Sequence, residues 1–249
     1  MTPMPTSGVA GPAWLVLPTY NEAENLEPMA EAALENLPPD AHLLVVDDGS
    51  PDGTGRIADR LAAAEERIEV LHRLKKEGLG PAYLAGFRHA LDSGAGLVLQ
   101  MDCDFSHDPA DLPRLIAAAE RSDVVIGSRY VGGGRVENWT PLRRAISRGG
   151  SAYARIVLGL PVRDLTGGFK CFRREVLDAL PLRSVSSRGY AFQIELTYRA
   201  ARAGFELTEI PICFHERRAG ASKMGGGIVL EGVWKVPLLR WEEAVASRR

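Results

Sequence analysis

The sequence has few cysteines and no long apolar run. Its three cysteines, Cys103, Cys171 and Cys213, lie far apart in a chain of 249 residues and match neither a disulfide framework nor a zinc-binding spacing. We therefore expect reduced thiols in a cytoplasmic protein. No stretch of about 18 apolar residues is present, so we expect no membrane-spanning helix. Residues 1–12 lack the basic and apolar regions of a signal peptide, and we interpret them as a flexible lead.

The chain also lacks a strong charge of either sign and the common nucleotide-binding fingerprints. Its net charge of -2 gives no reason to expect a nucleic acid as a partner. The glycine-rich segment Lys75–Gly80, KKEGLG, fits neither the P-loop pattern nor the GxGxxG pattern, which argues against both chemistries. Its glycines still allow a ligand to approach the backbone closely.

What the chain does have is a regular alternation of short apolar runs with helical patterns. The runs predict strands over residues 13–18, 42–46, 68–72, 96–101 and 123–128, and the segments between them carry apolar residues at helical spacing. This alternation predicts an α/β fold, with a mostly parallel central sheet and helices on both faces. In such sheets ligands bind beyond the carboxyl ends of the strands. The less regular second half predicts helices over 142–158 and 191–203, a short strand over 169–174 and another near 207–214.

Carboxylates follow the fourth predicted strand, where Asp102 and Asp104 stand two residues apart. Side chains at that spacing in an extended segment point the same way, and two neighbouring carboxylates repel each other unless a cation lies between them. Mg²⁺ and Mn²⁺ prefer oxygen ligands and usually bind substrate phosphates as well. The pair therefore predicts a metal site. The alternative is a helix cap, which fits Asp108 or Asp111 better because both directly precede the next helical pattern.

Several other residues have two interpretations. Asp47 and Asp48 end the second strand, where they either contact a ribose or a base or form a turn. For His107 a loop hydrogen bond is favoured over a metal bond, and Tyr20 and Phe192 either stack on a ligand ring or pack in the core. Six basic residues are either solvated charges or, if they converge, the site of a diphosphate and a second anion: Arg129, Arg143, Arg144, Arg148, Arg217 and Lys223.

Seven segments together resemble the polyprenyl-phosphate (dolichol-phosphate) mannosyltransferases, which are inverting family 2 glycosyltransferases with a GT-A (Rossmann-like) fold. The resemblance runs in order from about residue 13 to residue 224, which we take as the GT-A domain, and leaves 225–249 as a C-terminal amphipathic tail. The segments are PTYNE (18–22), VVDDGSPDGT (45–54), MDCDFSH (101–107), GSRY (127–130), RDLTGGFKCFRREVL (163–177), FQIE (192–195) and FHERRAGASKM (214–224).

The resemblance implies a role for individual residues. Asp102, Asp104 and Arg129 would be catalytic, and the metal, Mg²⁺ or Mn²⁺, would be bound by Asp102, Asp104 and Ser106. The nucleotide-sugar donor would be bound by Pro18, Tyr20, Glu22, Asp47, Lys76, Gly80, Asp102, Cys103, Asp104, Arg129, Asp164 and Gln193. The acceptor phosphate would be bound by Arg143, Ser147, Arg217, Ser222 and Lys223.

The implied reaction transfers mannose from GDP-mannose to a polyprenyl phosphate with inversion. A phosphate monoester has a second pKa of about 6, so its oxygen is already anionic at neutral pH and requires no general base. Alternatives are another donor such as UDP-glucose, or a hydroxyl acceptor with Glu195 as the base. A nucleotidyltransferase is a weaker alternative, since PTYNEAEN (18–25) after the first strand contains no glycine-rich loop.

The tail adds a predicted membrane contact. Its tryptophans and basic residues, in an amphipathic stretch, are typical of a membrane interface. Together with a lipid acceptor, they predict peripheral association with the cytoplasmic face of a membrane. The alternative is a helix that packs on the domain and breaks at Pro237. The resemblance indicates no oligomeric state.

Overall fold

A computed structural model describes residues 9–185, 187, 189–217 and 226–246. Its first half has the predicted alternation of strands and helices. The strands are β1 (Ala13–Thr19), β2 (His42–Asp47), β3 (Ile68–His72), β4 (Leu97–Gln100) and β5 (Val124–Ser128), and the helices are α1 (Leu26–Asn36), α2 (Thr54–Ala64), α3 (Leu79–Asp92) and α4 (Leu112–Ala118).

The second half completes the sheet and adds a two-stranded ribbon. Its strands are β6 (Arg135–Val136), β7 (Lys170–Arg173), β8 (Leu207–Pro211) and β9 (Cys213–Phe214). Its helices are α5 (Pro141–Leu158), α6 (Arg174–Ala179), α7 (Gly189–Arg202) and α8 (Gly226–Ala246). The predicted strand near 207–214 is thus divided between β8, which joins the main sheet, and β9, which pairs with β6.

The main sheet has the order β3-β2-β1-β4-β7-β5-β8. All neighbours are parallel except β7, which runs antiparallel to both β4 and β5. The sequence predicts this strand but not its direction. Because β7 is reversed, its amino end lies at the edge where the neighbouring parallel strands have their carboxyl ends, and the loop 163–169 arrives there too.

The core lies on both faces of the sheet. In β1, Trp14 and Val16 pack on one face against residues of α3 and α5–α8, while Leu15 and Leu17 pack on the other against residues of α1, α2 and α4. A strand that is covered on both faces is apolar at nearly every position, which is why β1 and β2 are almost continuous apolar runs.

The C-terminal helix α8 packs on the domain through Val236 and Leu239, which are buried against the cluster that includes α5 and α7. Pro237 lies inside the helix and does not break it. A proline has no N–H to bond the carbonyl four residues earlier, and the Tyr153 hydroxyl donates to that carbonyl, Val233 O, at 3.0 Å. Of the described residues, no helix combines the length and the apolar character required to cross a bilayer.

Candidate active site

A cleft of about 570 Å³ opens at the carboxyl edge of the sheet. It is bounded by the segments that follow β1, β2, β4 and β5, as expected for an open α/β sheet, and by loop 163–169 and residues of α5, α7 and α8. Twelve of the predicted site residues line it: Pro18, Tyr20, Glu22, Lys76, Asp102, Cys103, Asp104, Ser106, Arg129, Arg143, Gln193 and Arg217.

The paired carboxylates of Asp102 and Asp104 both line the cleft and interact electrostatically. Asp104 Oδ1 accepts hydrogen bonds from the Ser106 N–H at 3.0 Å and from the Ser106 hydroxyl, and its Oδ2 lies 3.6 Å from Arg217 Nη2. Tyr83 donates its hydroxyl to Asp102 Oδ1 at 3.2 Å. Burial and the charge of Asp104 raise the pKa of Asp102 to about 7. Two mutually repelling carboxylates with a hydroxyl beside them fit a hard divalent cation such as Mg²⁺ or Mn²⁺.

His107 supports this loop from behind. Its Nδ1 accepts the Asp102 backbone N–H at 3.4 Å, and its ring stacks on Phe169 with the ring centres 5.0 Å apart. Burial lowers the pKa of His107 to about 4, so the imidazole is neutral and able to accept at this nitrogen. The loop hydrogen bond expected for this histidine is therefore present.

Arg129, at the end of β5, is held by a buried ion pair. Its backbone N–H and its Nε both donate to Asp164 Oδ2, at 2.9 and 2.7 Å, and its Nη2 donates to Asp164 Oδ1 at 2.7 Å and to Thr166 Oγ1 at 2.9 Å. Burial alone would raise the pKa of Asp164, but the charge and hydrogen bonds of Arg129 outweigh it and hold that pKa below its usual range. Asp164 is fully buried behind Arg129 and does not line the cleft, so the predicted donor contact becomes a support for Arg129.

Gln193 presents its amide nitrogen at the cleft because its oxygen is already occupied. Gln193 Oε1 accepts from Lys170 Nζ at 3.1 Å and from Gln100 Nε2 at 2.6 Å. Lys170 also donates to Gln193 O and to Thr197 Oγ1, both at 2.9 Å, and burial lowers its pKa to about 7. In its charged form Lys170 can only donate, which orients the amide with its NH₂ outward. Gln193 Nε2 is then buried without a hydrogen-bond partner.

Gly168 leaves a gap between this amide and the carboxylate pair. A Cβ at Gly168 would lie 3.4 Å from Gln193 Nε2 and 3.7 Å from Asp102 Oδ2. Any side chain at position 168 would fill this gap. With an amide donor on one side and a carboxylate acceptor on the other, the gap suits a sugar hydroxyl, which both donates and accepts hydrogen bonds.

Residues 14–180 match the family described as "Glycosyl transferase family 2". The chain belongs to this family. Undecaprenyl-phosphate mannosyltransferase of Micrococcus luteus is 49% identical to it over 226 residues, which cover 91% of this chain and 92% of that protein. Polyprenol monophosphomannose synthase of Mycolicibacterium smegmatis is 48% identical over 224 residues, which cover 89% and 84%. The protein is therefore a glycosyltransferase.

Solved structures share the fold at low sequence identity. Glucosyl-3-phosphoglycerate synthase from Mycobacterium tuberculosis, in complex with Mn²⁺, UDP and glucosyl-3-phosphoglycerate, aligns with a TM-score of 0.67 at 19% identity over 92% of this chain and 80% of that chain. A complex of the same enzyme with Mg²⁺ and UDP gives 0.67 at 20% identity over 92% and 79%. The likeness confirms the predicted GT-A-like fold.

The structure places three other predicted site residues of this glycosyltransferase away from the cleft. Asp47 accepts from the Ser50 N–H at 3.3 Å and lies against Gly55 at the start of α2. It does not line the cleft, so its contact with the donor stays a prediction that this position does not favour. Consecutive residues of an extended chain face opposite ways, and it is Asp48 that lines the cleft, where its Oδ2 accepts the N–H groups of Glu77 and Gly78, each at 3.1 Å.

Gly80 and Ser147 pack beside the cleft rather than lining it. A Cβ at Gly80 would lie 2.9 Å from Ser187 O and 3.0 Å from the Phe192 ring, so this glycine permits close packing of α3 on α7. Ser147 accepts the Tyr130 hydroxyl at 2.6 Å. Phe192 is itself a core residue, stacked on Tyr83 with the ring centres 6.0 Å apart. Ser222 and Lys223 lie outside the described residues.

Two of the predicted anion-binding arginines, Arg143 and Arg217, line the cleft. Arg143 lies over the Trp139 ring, 4.1 Å from its centre, and pairs with Glu216 at 3.1 Å, while Arg217 reaches Asp104. Tyr20 carries Lys76 Nζ 4.0 Å above its ring centre. Five further residues line the cleft that were not predicted to belong to the site, because no local pattern shows that their segments meet there: Trp139, Thr166, Gly168, Tyr190 and Phe214.

Proposed function

We propose that this glycosyltransferase transfers mannose from GDP-mannose to the phosphate of a polyprenyl monophosphate, with inversion, and depends on Mg²⁺ or Mn²⁺. The observation that carries the proposal is a cleft lined by the carboxylates of Asp102 and Asp104 and by the arginines Arg143 and Arg217, of which Arg217 reaches Asp104. The names of the relatives at 48–49% identity supply the lipid product.

Asp102 and Asp104 would hold the metal ion. Bound there, a divalent cation would supply the positive charge that stabilises a departing diphosphate. Tyr83 and Ser106 fix the two carboxylates through the hydrogen bonds described above. This arrangement is preorganised, so little reorganisation is required when the bond to the sugar breaks.

Gln193 and Arg129 would position the donor sugar and its phosphate. The outward NH₂ of Gln193 would donate to a sugar hydroxyl in the gap beside Gly168. This buried donor, which has no partner in the structure, would then be hydrogen-bonded. Arg129 lines the cleft in a fixed orientation because Asp164 holds its guanidinium from behind.

Arg143 and Arg217 would bind the acceptor phosphate, since a guanidinium matches phosphate oxygens with paired hydrogen bonds. A hydroxyl acceptor would instead require a carboxylate base, and Glu195, the candidate, is buried away from the cleft. Its Oε1 accepts from Arg199 Nη2 and Nε at 2.6 and 2.9 Å, and its Oε2 accepts from the Ser187 N–H at 3.3 Å. The position of Glu195 favours an acceptor that is already anionic.

Helices α5 and α8 would meet the membrane that contains the lipid. The two helices pack against each other, and each contributes a residue to the cleft, Arg143 and Glu231. Exposed large apolar side chains are typical of interfacial helices. Among the described residues, most of them lie on these two helices: Leu142, Ile146, Ile156, Val233, Trp234, Leu238 and Trp241. We infer peripheral association with the cytoplasmic face.

The activity is tested by mixing the purified protein with radiolabelled GDP-mannose, Mg²⁺ and a polyprenyl phosphate and following mannolipid. UDP-glucose replaces the donor in a second arm, and the free polyprenol replaces the acceptor in a third. We expect product only with GDP-mannose and the phosphate. The absence of product with GDP-mannose, or better turnover in either alternative arm, contradicts the proposal.

Metal dependence is tested with Asp104→Asn and with chelation. We expect Asp104→Asn to lower kcat by about 10³-fold, because losing the metal ion removes several kcal/mol of stabilisation from the charge on the departing diphosphate. Asp108→Asn is the matched control, because Asp108 is an exposed carboxylate nearby that caps a short turn through the Ala110 N–H at 2.9 Å. Full turnover in excess chelator, or equal rates for the two variants, excludes the metal role.

Membrane association is tested by co-sedimentation with anionic lipid vesicles. The double substitution Trp234→Ala and Trp241→Ala should weaken binding by at least about tenfold, because interfacial binding scales with the apolar area inserted. Leu74→Ala is the control, since Leu74 is a fully exposed apolar residue in the loop after β3. Equal binding of both variants would exclude these helices as the contact surface.

A further inference from the structure

The β6–β9 ribbon has two faces of different chemistry. Its strands are parallel, with Arg135 opposite Cys213 and Val136 opposite Phe214. Side chains two residues apart on a strand share a face, and Phe214 lines the cleft. Glu137 and His215 follow each strand, so they continue the face that carries Arg135 and Cys213, turned away from Phe214.

Three metal-binding side chains converge on that outer face. One ligand atom each from Glu137, Cys213 and His215 lies within 4.8 Å of the other two, and His215 Nδ1 is 3.2 Å from a Glu137 carboxylate oxygen. In a tetrahedral zinc site the bond lengths place ligand atoms about 3.3–3.6 Å apart. The three groups therefore require only side-chain adjustments of about 1 Å to enclose an ion, with a water molecule as the fourth ligand.

We propose that Glu137, Cys213 and His215 form a second metal site, which binds Zn²⁺ or a similar borderline-soft divalent cation. A thiolate and an imidazole select such ions, whereas the carboxylates of Asp102 and Asp104 offer only oxygen and suit Mg²⁺ or Mn²⁺. Binding releases the Cys213 thiol proton to solvent. This inference is independent of the proposed donor and acceptor.

Arg135 completes the site as a supporting partner. Its Nε donates to Glu137 Oε1 at 2.9 Å, which leaves Oε2 for the ion and fixes the carboxylate, as partners of metal ligands commonly do. The ribbon is also bonded to the segment that carries Asp104 and Ser106, because the His215 N–H donates to Ser106 O at 3.0 Å. An ion on the outer face thus lies next to the wall of the cleft formed by Phe214.

The test uses Co²⁺ as a spectroscopic probe in the presence of excess Mg²⁺, so that the carboxylate pair is already occupied. We expect one equivalent of Co²⁺ to produce a sulfur-to-cobalt charge-transfer band and the visible bands of tetrahedral cobalt, and one equivalent of Zn²⁺ to abolish both. Cys213→Ser should remove the charge-transfer band, and His215→Ala should weaken Zn²⁺ binding by at least about tenfold.

Two control variants make the result specific. His72→Ala removes another accessible imidazole with carboxylate neighbours, Asp59 and Asp47, and should leave the spectrum unchanged. Cys103→Ser removes the thiol between the catalytic carboxylates and should also leave it unchanged. Loss of the band in Cys103→Ser but not in Cys213→Ser overturns the proposal, as does the absence of the band in the wild-type protein.

Discussion

The buried ion pair between Arg129 and Asp164 holds the Arg129 side chain in place at the cleft, and a substitution of Asp164 tests this role. Asp164→Asn keeps the size of the side chain but removes its charge. The three hydrogen bonds from Arg129 to this carboxylate then meet a group with one oxygen and one NH₂, so at least one arginine donor faces another donor.

The expected cost follows from the burial of the pair. Arg129 is 4% exposed and Asp164 is fully buried, so the guanidinium keeps its charge in a site that no longer neutralises it. Removing one partner of a buried ion pair costs about 3–5 kcal/mol. For a chain of this length that lowers Tm by about 6–20 °C.

Urea unfolding, followed by circular dichroism, measures the free energy of unfolding, and thermal unfolding measures Tm. The control is Asp178→Asn, which breaks the exposed pair between Arg174 and Asp178, at 3.0 Å, and should cost less than about 1 kcal/mol. Equal losses of unfolding free energy in Asp164→Asn and Asp178→Asn would refute the idea that burial makes the Arg129–Asp164 pair important. The double variant Arg129→Met with Asp164→Leu should recover much of the stability, because an apolar pair leaves no buried charge, while remaining inactive.

The same pair predicts a dependence on pH. The pKa of Asp164 is depressed in the folded protein, so its stabilising contribution is complete above the unfolded-state pKa of about 3.9 and is lost as the pH falls below it. The stability difference between the wild-type protein and Asp164→Asn should therefore be constant near neutral pH and should shrink in acid. A difference that grows on acidification contradicts the assignment.

Two further substitutions test residues that hold cleft side chains in position, Lys170 beside Gln193 and Tyr83 beside Asp102. Lys170→Met should lower kcat/KM by freeing the Gln193 amide to rotate. Because the folded pKa of Lys170, about 7, is below its unfolded value, wild-type stability should rise with pH above 7, by up to about 1.4 kcal/mol per unit, and Lys170→Met should lack this slope in denaturant titrations. Tyr83→Phe removes the hydrogen bond to Asp102 and should weaken Mg²⁺ activation about tenfold, with activity restored at higher Mg²⁺. An unchanged Mg²⁺ requirement would exclude a role for Tyr83 in metal binding.

The strands of the first half were predictable because burial on both faces of a sheet favours near-continuous apolar runs. The carboxylate pair was predictable for a similar local reason, since Asp102 and Asp104 directly follow such a run. The direction of β7 was not predictable, because hydrophobic periodicity is the same in both directions. Only the pairing of β7 with β4 and β5 decides it.

The sequence by itself determined which residues form the sheet and which segments meet at its carboxyl edge, since both follow from patterns within a few residues. Only the tertiary structure decided that Asp48 rather than Asp47 lines the cleft, that Asp164 supports Arg129 from behind, and that Lys170 orients Gln193. The physical reason is that each of these outcomes depends on the direction of a side chain and on a partner far along the chain. Those quantities are set by packing between elements and leave no signal in the local sequence.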